Sequence, residues 1–311
     1  MASPAVTLVN SVGLIEAAIN KGQPKDGVEM APKEIRSAGL DHLINALNAK
    51  VNFYGEVRQP KDREPDIVAN CINQRALIKA TLELRELVEK SVSENEITLI
   101  LGGDHSSGMG AIEGHFRAFP DSVVVWVDAH GDINTPDSSA SKNTHGMPVS
   151  FMMRETYKQI PQIMGFEKIH PVLDPNQIIY IGLRDLDPPE LNTLKEFRVP
   201  YFSMNDVRQL GIEKVVETTL RIIERTSPNC KIHLSFDIDS LDPRFAPSTG
   251  TPVPDGLTLK EGKYICRALA QTGQLRSMLM AEVNTALGSE EDARVTLNSA
   301  NEILKSALLL G

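Results

Sequence analysis

The sequence predicts a three-layer α/β/α fold built on a mainly parallel, eight-stranded sheet. Two observations carry that prediction. Eight short apolar runs alternate with longer segments of helical periodicity, and several of those runs are Val-, Ile- and Leu-rich at successive positions. A strand that is apolar on both faces is covered on both sides, as in a parallel sheet. Strands that alternate with helices place those helices on the two faces.

The candidate strands are 5–9, 51–54, 97–101, 123–127, 177–181, 199–202, 232–236 and 277–281. Within 72–92, Leu77, Ala80, Leu84, Val88 and Val92 recur at steps of three or four. Arg75, Lys79, Glu83, Glu86 and Glu89 fall mostly on the other side, the pattern of an amphipathic helix. Segments 33–48, 212–225, 258–271 and 290–309 read similarly. The chain has 311 residues, a length that alone permits one large domain or two ordinary ones. No repeat, low-complexity tract or linker divides it, so residues 1–311 are expected to form one domain.

A hydrophobic fraction of 41% is ample for such a core. The net charge of −9 argues against nucleic acid and anionic membranes as partners, since both favour basic surfaces. The cysteines Cys71, Cys230 and Cys266 lie far apart, with neither zinc-type spacing nor a disulfide framework. They read as small buried residues in a reducing compartment. No apolar run is long enough to span a bilayer. The start, Met1-Ala2-Ser3-Pro4, lacks the basic and apolar stretches of a signal peptide. The expectation is a cytoplasmic protein without membrane contact.

In open α/β sheets, ligands bind beyond the carboxyl ends of the strands. Gly102-Gly103-Asp104-His105 follows the third candidate strand and Asp128 ends the fourth. Asp185 and Asp187 follow the fifth, Asp237 and Asp239 end the seventh, and Glu282 ends the eighth. Distant segments would thus converge on one rim. Clustered carboxylates at the ends of buried strands need a counter-charge, because unpaired buried charge is costly.

A pair of divalent metal ions would supply it. His105, Asp128, His130, Asp132, Asp237 and Asp239 are the candidate ligands. Oxygen and nitrogen donors without thiolate point to Mn²⁺, and four aspartates offset the charge of two such ions. Asp128, His130 and Asp132 share one side if the chain stays extended, as do Asp237 and Asp239. Bridging aspartates would hold the ions roughly 3.5–4 Å apart, the spacing of two-metal hydrolytic sites. Each piece alone has a plainer reading as a turn, a helix cap or a packed imidazole, and short motifs often match by chance. Their coincidence at successive strand ends outweighs that. His42 and His115 in helical patterns, His170 in a loop and His233 in a strand read as structural. Gly102, Gly103, Gly108 and Gly110 do not form G-x-G-x-x-G, and Asp104 and His105 stand where a pyrophosphate needs bare backbone. These glycines read as tight-turn and close-packing residues.

The segments GGDHS at 102–106, DAHGDIN at 128–134, SKNTHG at 141–146, RDLDPPE at 184–190, SFDIDSLDP at 235–243, STGTPVPDGL at 248–257 and AEVN at 281–284 resemble the ureohydrolase family, and within it the arginases. KGQPKDGVEMAP at 21–32 is similar to the family's first loop. The resemblance spans nearly the whole chain, in the same order of segments.

That resemblance implies two Mn²⁺ ions bridged by a hydroxide. One ion would take His105 and Asp132, the other His130 and Asp239, with Asp128 and Asp237 bridging. It implies hydrolysis of L-arginine to L-ornithine and urea, a place in arginine metabolism as in the urea cycle, and a homo-oligomer, commonly a trimer. Asn134, Ser139, Ser141 and Asn143 would meet the α-carboxylate directly or through water. Asp187, helped by Asp185 and Glu190, would receive the α-ammonium. Glu282 would hold the guanidinium, with Thr251 orienting that region. Asp132 would relay a proton and His145 would shuttle it to solvent, its intrinsic pKa lying near working pH. The alternatives are an agmatinase or another guanidino-acid hydrolase, which usually lack this polar loop, and a catalytically silent metal-binding relative. The departures are Gly131, where Thr or Ala is common, and Lys142-Asn143-Thr144 in place of a typical Gly-Asn-Leu, which adds a cation near the entrance. The extended tail of some arginases is expected to be absent.

Overall fold

The computed structural model describes residues 9–47, 49–59, 66–161 and 165–309. Its centre is an eight-stranded sheet. The strands are β1 Ser11–Ala18, β2 Lys50–Arg58, β3 Ile97–Gly102, β4 Val123–Val127, β5 Ile178–Leu183, β6 Tyr201–Ser203, β7 Ile232–Asp237 and β8 Leu275–Ala281. They lie in the order β2-β1-β3-β8-β7-β4-β5-β6. Every neighbouring pair is parallel. All carboxyl ends therefore share one edge.

Alternate residues of β1, β3, β4, β5 and β8 feed cores on opposite faces, which is why those strands read as apolar at successive positions. On one face Leu99, Val123, Val125, Val127, Leu234 and Phe236 pack with Ile35, Leu40, Val215, Ile265 and Ile303. These come from the helical segment 31–46 and the helices Ile212–Thr226, Leu259–Gln271 and Glu290–Ala307. On the other face, Trp126 and Tyr180 pack with Met109, Ile112 and Leu194, and Ile100 and Leu279 with Leu77, Leu84 and Val88. The helices there include Gln74–Glu94, Gly108–Ala118 and Pro188–Glu196. The three-layer expectation holds. Among the described residues no helix is long and apolar enough to cross a membrane.

The first strand is a correction. Of the expected 5–9, residues 5–8 lie outside the described residues and Val9 is not in a strand; β1 begins at Ser11. Its Glu16-Ala17-Ala18 has helix-forming composition. A buried glutamate fits a strand here because Arg36 reaches Glu16 at 2.6 Å. The expected strand 199–202 is shifted to Tyr201–Ser203. The expected helix 33–48 starts earlier, at Ala31, and its last residue lies outside the described residues.

The glycines behave as packing residues. A Cβ at Gly103 would meet the Ile19 carbonyl oxygen at 1.9 Å, and one at Gly110 would meet the Thr81 carbonyl oxygen at 2.8 Å. His115 and His233 are buried and both face the Ser277 hydroxyl at 2.7 Å. Burial holds both imidazoles below their ordinary pKa, His233 at about 3, so they are neutral structural groups.

Candidate active site

Five neighbouring strands, β3-β8-β7-β4-β5, deliver the candidate residues to the carboxyl edge. Asp237 is the last residue of β7, and its Oδ1 accepts the Asp239 N–H at 2.8 Å, which turns the chain back on itself. Asp128 directly follows β4. Its Oδ2 accepts the Trp126 indole N–H at 2.9 Å and its Oδ1 the His130 N–H at 2.7 Å. Both acids are thereby fixed before any ligand arrives.

The two imidazoles aim at these acids. His105 Nδ1 lies 3.1 Å from Asp128, 3.1 Å from Asp132 and 3.0 Å from Asp237. Its Nε2 sits 2.8 Å from the Ser235 hydroxyl, and its ring stacks on Trp126 at 4.1 Å. His130 Nδ1 lies 3.4 Å from Asp128 and 3.2 Å from Asp239. Two ligand groups result, His105–Asp128–Asp132 and Asp128–His130–Asp239, and Asp128 belongs to both. Asp237 joins the His105 side.

The donor set fits a pair of divalent cations. One N–H cannot serve three carboxylates, and His105 Nδ1 has no directed hydrogen-bond partner despite full burial. Asp239 Oδ1 is likewise buried and unpartnered. Such orphans are rare unless something absent from the protein chain completes them. Burial lowers the His105 pKa, but Asp128, Asp132 and Asp237 outweigh it and raise it well above the ordinary value. A cation is wanted there, and a metal can take the proton's place.

Above this floor is a cleft of about 310 Å³. Asn134, Ser139, Ser141, Asn143, His145, Asp187, Glu190, Thr251 and Glu282 all line it, so the structure gathers nearly every residue expected from the sequence. Asn134 Nδ2 donates to Asp187 Oδ2 at 2.9 Å. The Ser139 hydroxyl accepts the Lys142 N–H at 3.0 Å, and the Ser141 hydroxyl accepts the Asn143 N–H at 3.3 Å. Lys142 adopts left-handed backbone, φ 62°, and its side chain is not part of the lining.

Three expectations are adjusted. Asp185 is not part of the lining; its side chain is 66% exposed and 3.7 Å from His130 Nε2. Glu190 has both oxygens occupied by backbone, the Ile133 N–H at 3.2 Å and the Asp187 N–H at 3.0 Å. It forms a capping box with Asp187 at the start of helix Pro188–Glu196, which fixes Asp187 at the cleft wall. Thr251 donates to Asp239 Oδ2 at 3.0 Å and so orients a candidate ligand.

Glu282 is buried, with Oε1 accepting the His105 N–H at 2.9 Å and facing His145 Nδ1 at 3.1 Å. Burial lowers the His145 pKa, but Glu282 more than offsets it, and the imidazole is raised to about 9. Without metal or substrate His145 is therefore a cation paired with Glu282. Asp132 and Glu282 both have left-handed φ, 49° and 62°. Non-glycine residues pay for that conformation in strain, which concentrates at functional sites.

Two contributors carry no obvious sequence signal. Arg184 donates to the Asp239 carbonyl at 2.7 Å and the Val253 carbonyl at 2.7 Å, clamping the ligand turn to the loop above it. Asp104 is buried beside the site and binds the first loop at Gly22.

A model of the Arginase family matches residues 10–310. The chain belongs to the arginase family. Human mitochondrial arginase-2 is 45% identical over 303 residues, covering 96% of this chain and 85% of the relative. The hepatic arginase of Aquarana catesbeiana is 44% identical, covering 95% of this chain and 92% of its own length. Among solved structures, the arginase of Entamoeba histolytica in complex with L-ornithine has a TM-score of 0.86 at 31% identity, covering 97% of this chain and 99% of that one. The eight-stranded parallel sheet flanked by helices is thus the arginase-family fold.

Proposed function

We propose that this arginase-family chain hydrolyses L-arginine to L-ornithine and urea with two Mn²⁺ ions held by His105, Asp128, His130, Asp132, Asp237 and Asp239. The observation that carries the reading is the pair of ligand groups sharing Asp128 on the floor of a cleft walled by Asn134, Ser139, Ser141, Asn143 and Asp187. That wall offers hydroxyls and amides to a carboxylate and an acid to an ammonium, the two groups at the amino acid end of arginine. When bound, the ion pair lowers the pKa of coordinated water toward neutrality and so makes hydroxide available to the guanidinium carbon.

The chain's own residues position the rest. Burial raises the Glu282 pKa, but His145 and the His105 N–H outweigh it, so Glu282 is ionised and offers the guanidinium a charge-assisted contact. Free guanidinium is a poor electrophile, which makes orientation valuable. The departing δ-nitrogen needs a proton. Asp132 on the floor would pass it the proton given up by the attacking hydroxide, and His145 on the wall would carry to solvent the separate proton released when the next water ionises. His145→Ala should lower kcat by about 10²-fold, at the lower end of what a positioned proton-transfer group supplies. Bound metal, measured by emission spectrometry, should be unchanged; equal loss of metal would contradict the shuttle role.

Urea release after chelation and Mn²⁺ reloading tests the whole reading, with agmatine in parallel. The expected result is release from L-arginine only, and only with metal. Release from agmatine alone would overturn the substrate. Reloading should also raise Tm by on the order of 10 °C, since a ligand at a thousandfold excess over Kd stabilises by about 4 kcal/mol. A Tm indifferent to Mn²⁺ would count against the metal site.

We further propose that residues 1–311 form one catalytic domain, supported by an eight-stranded sheet whose strands run from Ser11 to Ala281. A homotrimer is proposed from the family resemblance and is tested by light scattering. A cytoplasmic location is supported by three free buried cysteines. Fractionation against mitochondria tests it, since one relative is named a mitochondrial enzyme.

A further inference from the structure

Asp104 lies fully buried just beyond β3, and its two carboxylate oxygens have different tasks. Oδ1 accepts the Ser106 N–H at 3.0 Å and the Ser106 hydroxyl, capping the turn His105–Ser107. Oδ2 accepts the Gly22 N–H at 2.7 Å, from a loop 82 residues away. The Gly22 carbonyl in turn accepts the His145 N–H at 3.0 Å. The backbone of one residue, Gly22, is therefore held between Asp104 and the backbone N–H of His145. A Cβ at Gly22 would stand 2.6 Å from Asp104 Oδ1 and 2.7 Å from the Ser106 hydroxyl, so the loop approaches as closely as bare backbone can.

A cap needs one acceptor oxygen, which Asn or Ser also provides. The second oxygen has no local task, and burying a charged carboxylate is costly. What Oδ2 adds is a fixed position for Gly22. His145 stands on that position through its own backbone and faces Glu282 with its ring. The first loop is held elsewhere too: Asn284 donates to the Asp26 carbonyl at 3.1 Å, and Lys25 to the Gly250 carbonyl. Among the described residues, only the Gly22 contact continues to His145.

We propose that Asp104 is a positioning residue for proton transfer, setting the placement of His145 over Glu282 through the backbone of Gly22. The proposal rests on the shuttle reading of His145 above. Proton transfer is steep in donor–acceptor distance, so a small shift of the imidazole reduces turnover without touching the ligands or the amino acid wall.

Two variants test it from opposite sides. Asp104→Asn keeps one oxygen for the cap and presents an amide to the Gly22 N–H. Gly22→Ala leaves the acid intact and displaces the loop, and it decides the matter alone if the first variant fails to fold. For both, kcat on L-arginine should fall about tenfold or more, a part of the ~10²–10⁴-fold a positioned proton carrier supplies. KM and bound Mn²⁺ per chain should stay at wild-type values. Added imidazole, a diffusing proton carrier, should restore much of kcat, as it should in His145→Ala. Unchanged kcat in Gly22→Ala would overturn the proposal. So would a loss that imidazole does not relieve and that falling metal content accompanies. Full turnover by His145→Ala would sink the shuttle reading itself, and no urea from reloaded wild type would sink the function; both are measured with Asp104 in place.

Discussion

Asp128→Ala should abolish Mn²⁺ loading and lower kcat/KM for L-arginine by about 10³-fold or more, roughly 4 kcal/mol of transition-state stabilisation. Among the described residues only Asp128 belongs to both ligand groups, so its loss damages both at once. Neighbours cannot compensate, because the residue is fully buried and its surroundings are built to hold it. Burial raises its pKa, but His105 and His130 outweigh that and keep it below the ordinary range, so it is ionised and ready for a cation. Truncation also strands the Trp126 indole N–H, which donates to it at 2.9 Å. A buried donor left without a partner costs about 1–3 kcal/mol. Two measurements separate the effects. Tm of the chelated variant should fall modestly, from the stranded donor. The rise in Tm on adding Mn²⁺ should disappear, from the lost site. Asp237→Ala should lose metal and activity in the same way. Normal turnover in Asp128→Ala would remove the bridging assignment.

The parallel sheet is legible because β4 and β5 are apolar on both faces, and the rim is legible because acids stand at or just beyond the ends of β4, β5 and β7. β1 is hidden by composition. Glu16 looks out of place in a buried strand until Arg36, a residue of a later helical segment, is seen to pair with it. In helix Gly108–Ala118 the residues Gly108, Gly110 and Gly114 lower helix propensity, and helix Gln74–Glu94 packs too close for a side chain at Gly110 and Gly114. The six ligand positions are legible as residue types, and the resemblance assigns their partners. Asp185 shows the limit of spacing: two acids two positions apart look equivalent, but the capping box commits Asp187 to the cleft wall and leaves Asp185 largely in solvent. Arg184 and Asp104 act on backbone groups far along the chain, and a backbone group has no residue signature. Lys142 adds a cation near the entrance, and it is not among the residues that line the cleft.

Glu282→Gln should lower kcat/KM for L-arginine by about 10²–10³-fold, the cost of removing one preorganised charge from a buried site, while keeping bound metal. The substitution preserves the side-chain shape and the strained φ of 62°, so it isolates the charge. It also tests the His145 pairing. In chelated wild type the His145 imidazole titrates at about 9, against an ordinary value of 6.5. Burial opposes that rise; Glu282 drives it, with Asp132 and Asp104 adding to it. A raised imidazole pKa stabilises the fold fully below pH 6.5, and the contribution is lost as pH climbs through about 9. Without the Glu282 charge, burial is opposed only by the more distant acids. The titration followed by NMR should then move down toward 6.5, and the part of the Tm–pH curve between 6.5 and 9 that belongs to this pair should flatten. A His145 titration unmoved in Glu282→Gln would mean that other acids hold its proton. Arriving guanidinium would then not compete with His145 for Glu282, and the two would act independently. A downward shift would instead mean that substrate, by taking Glu282 as its own counter-ion, lowers the affinity of His145 for its proton at the moment the proton must be passed on.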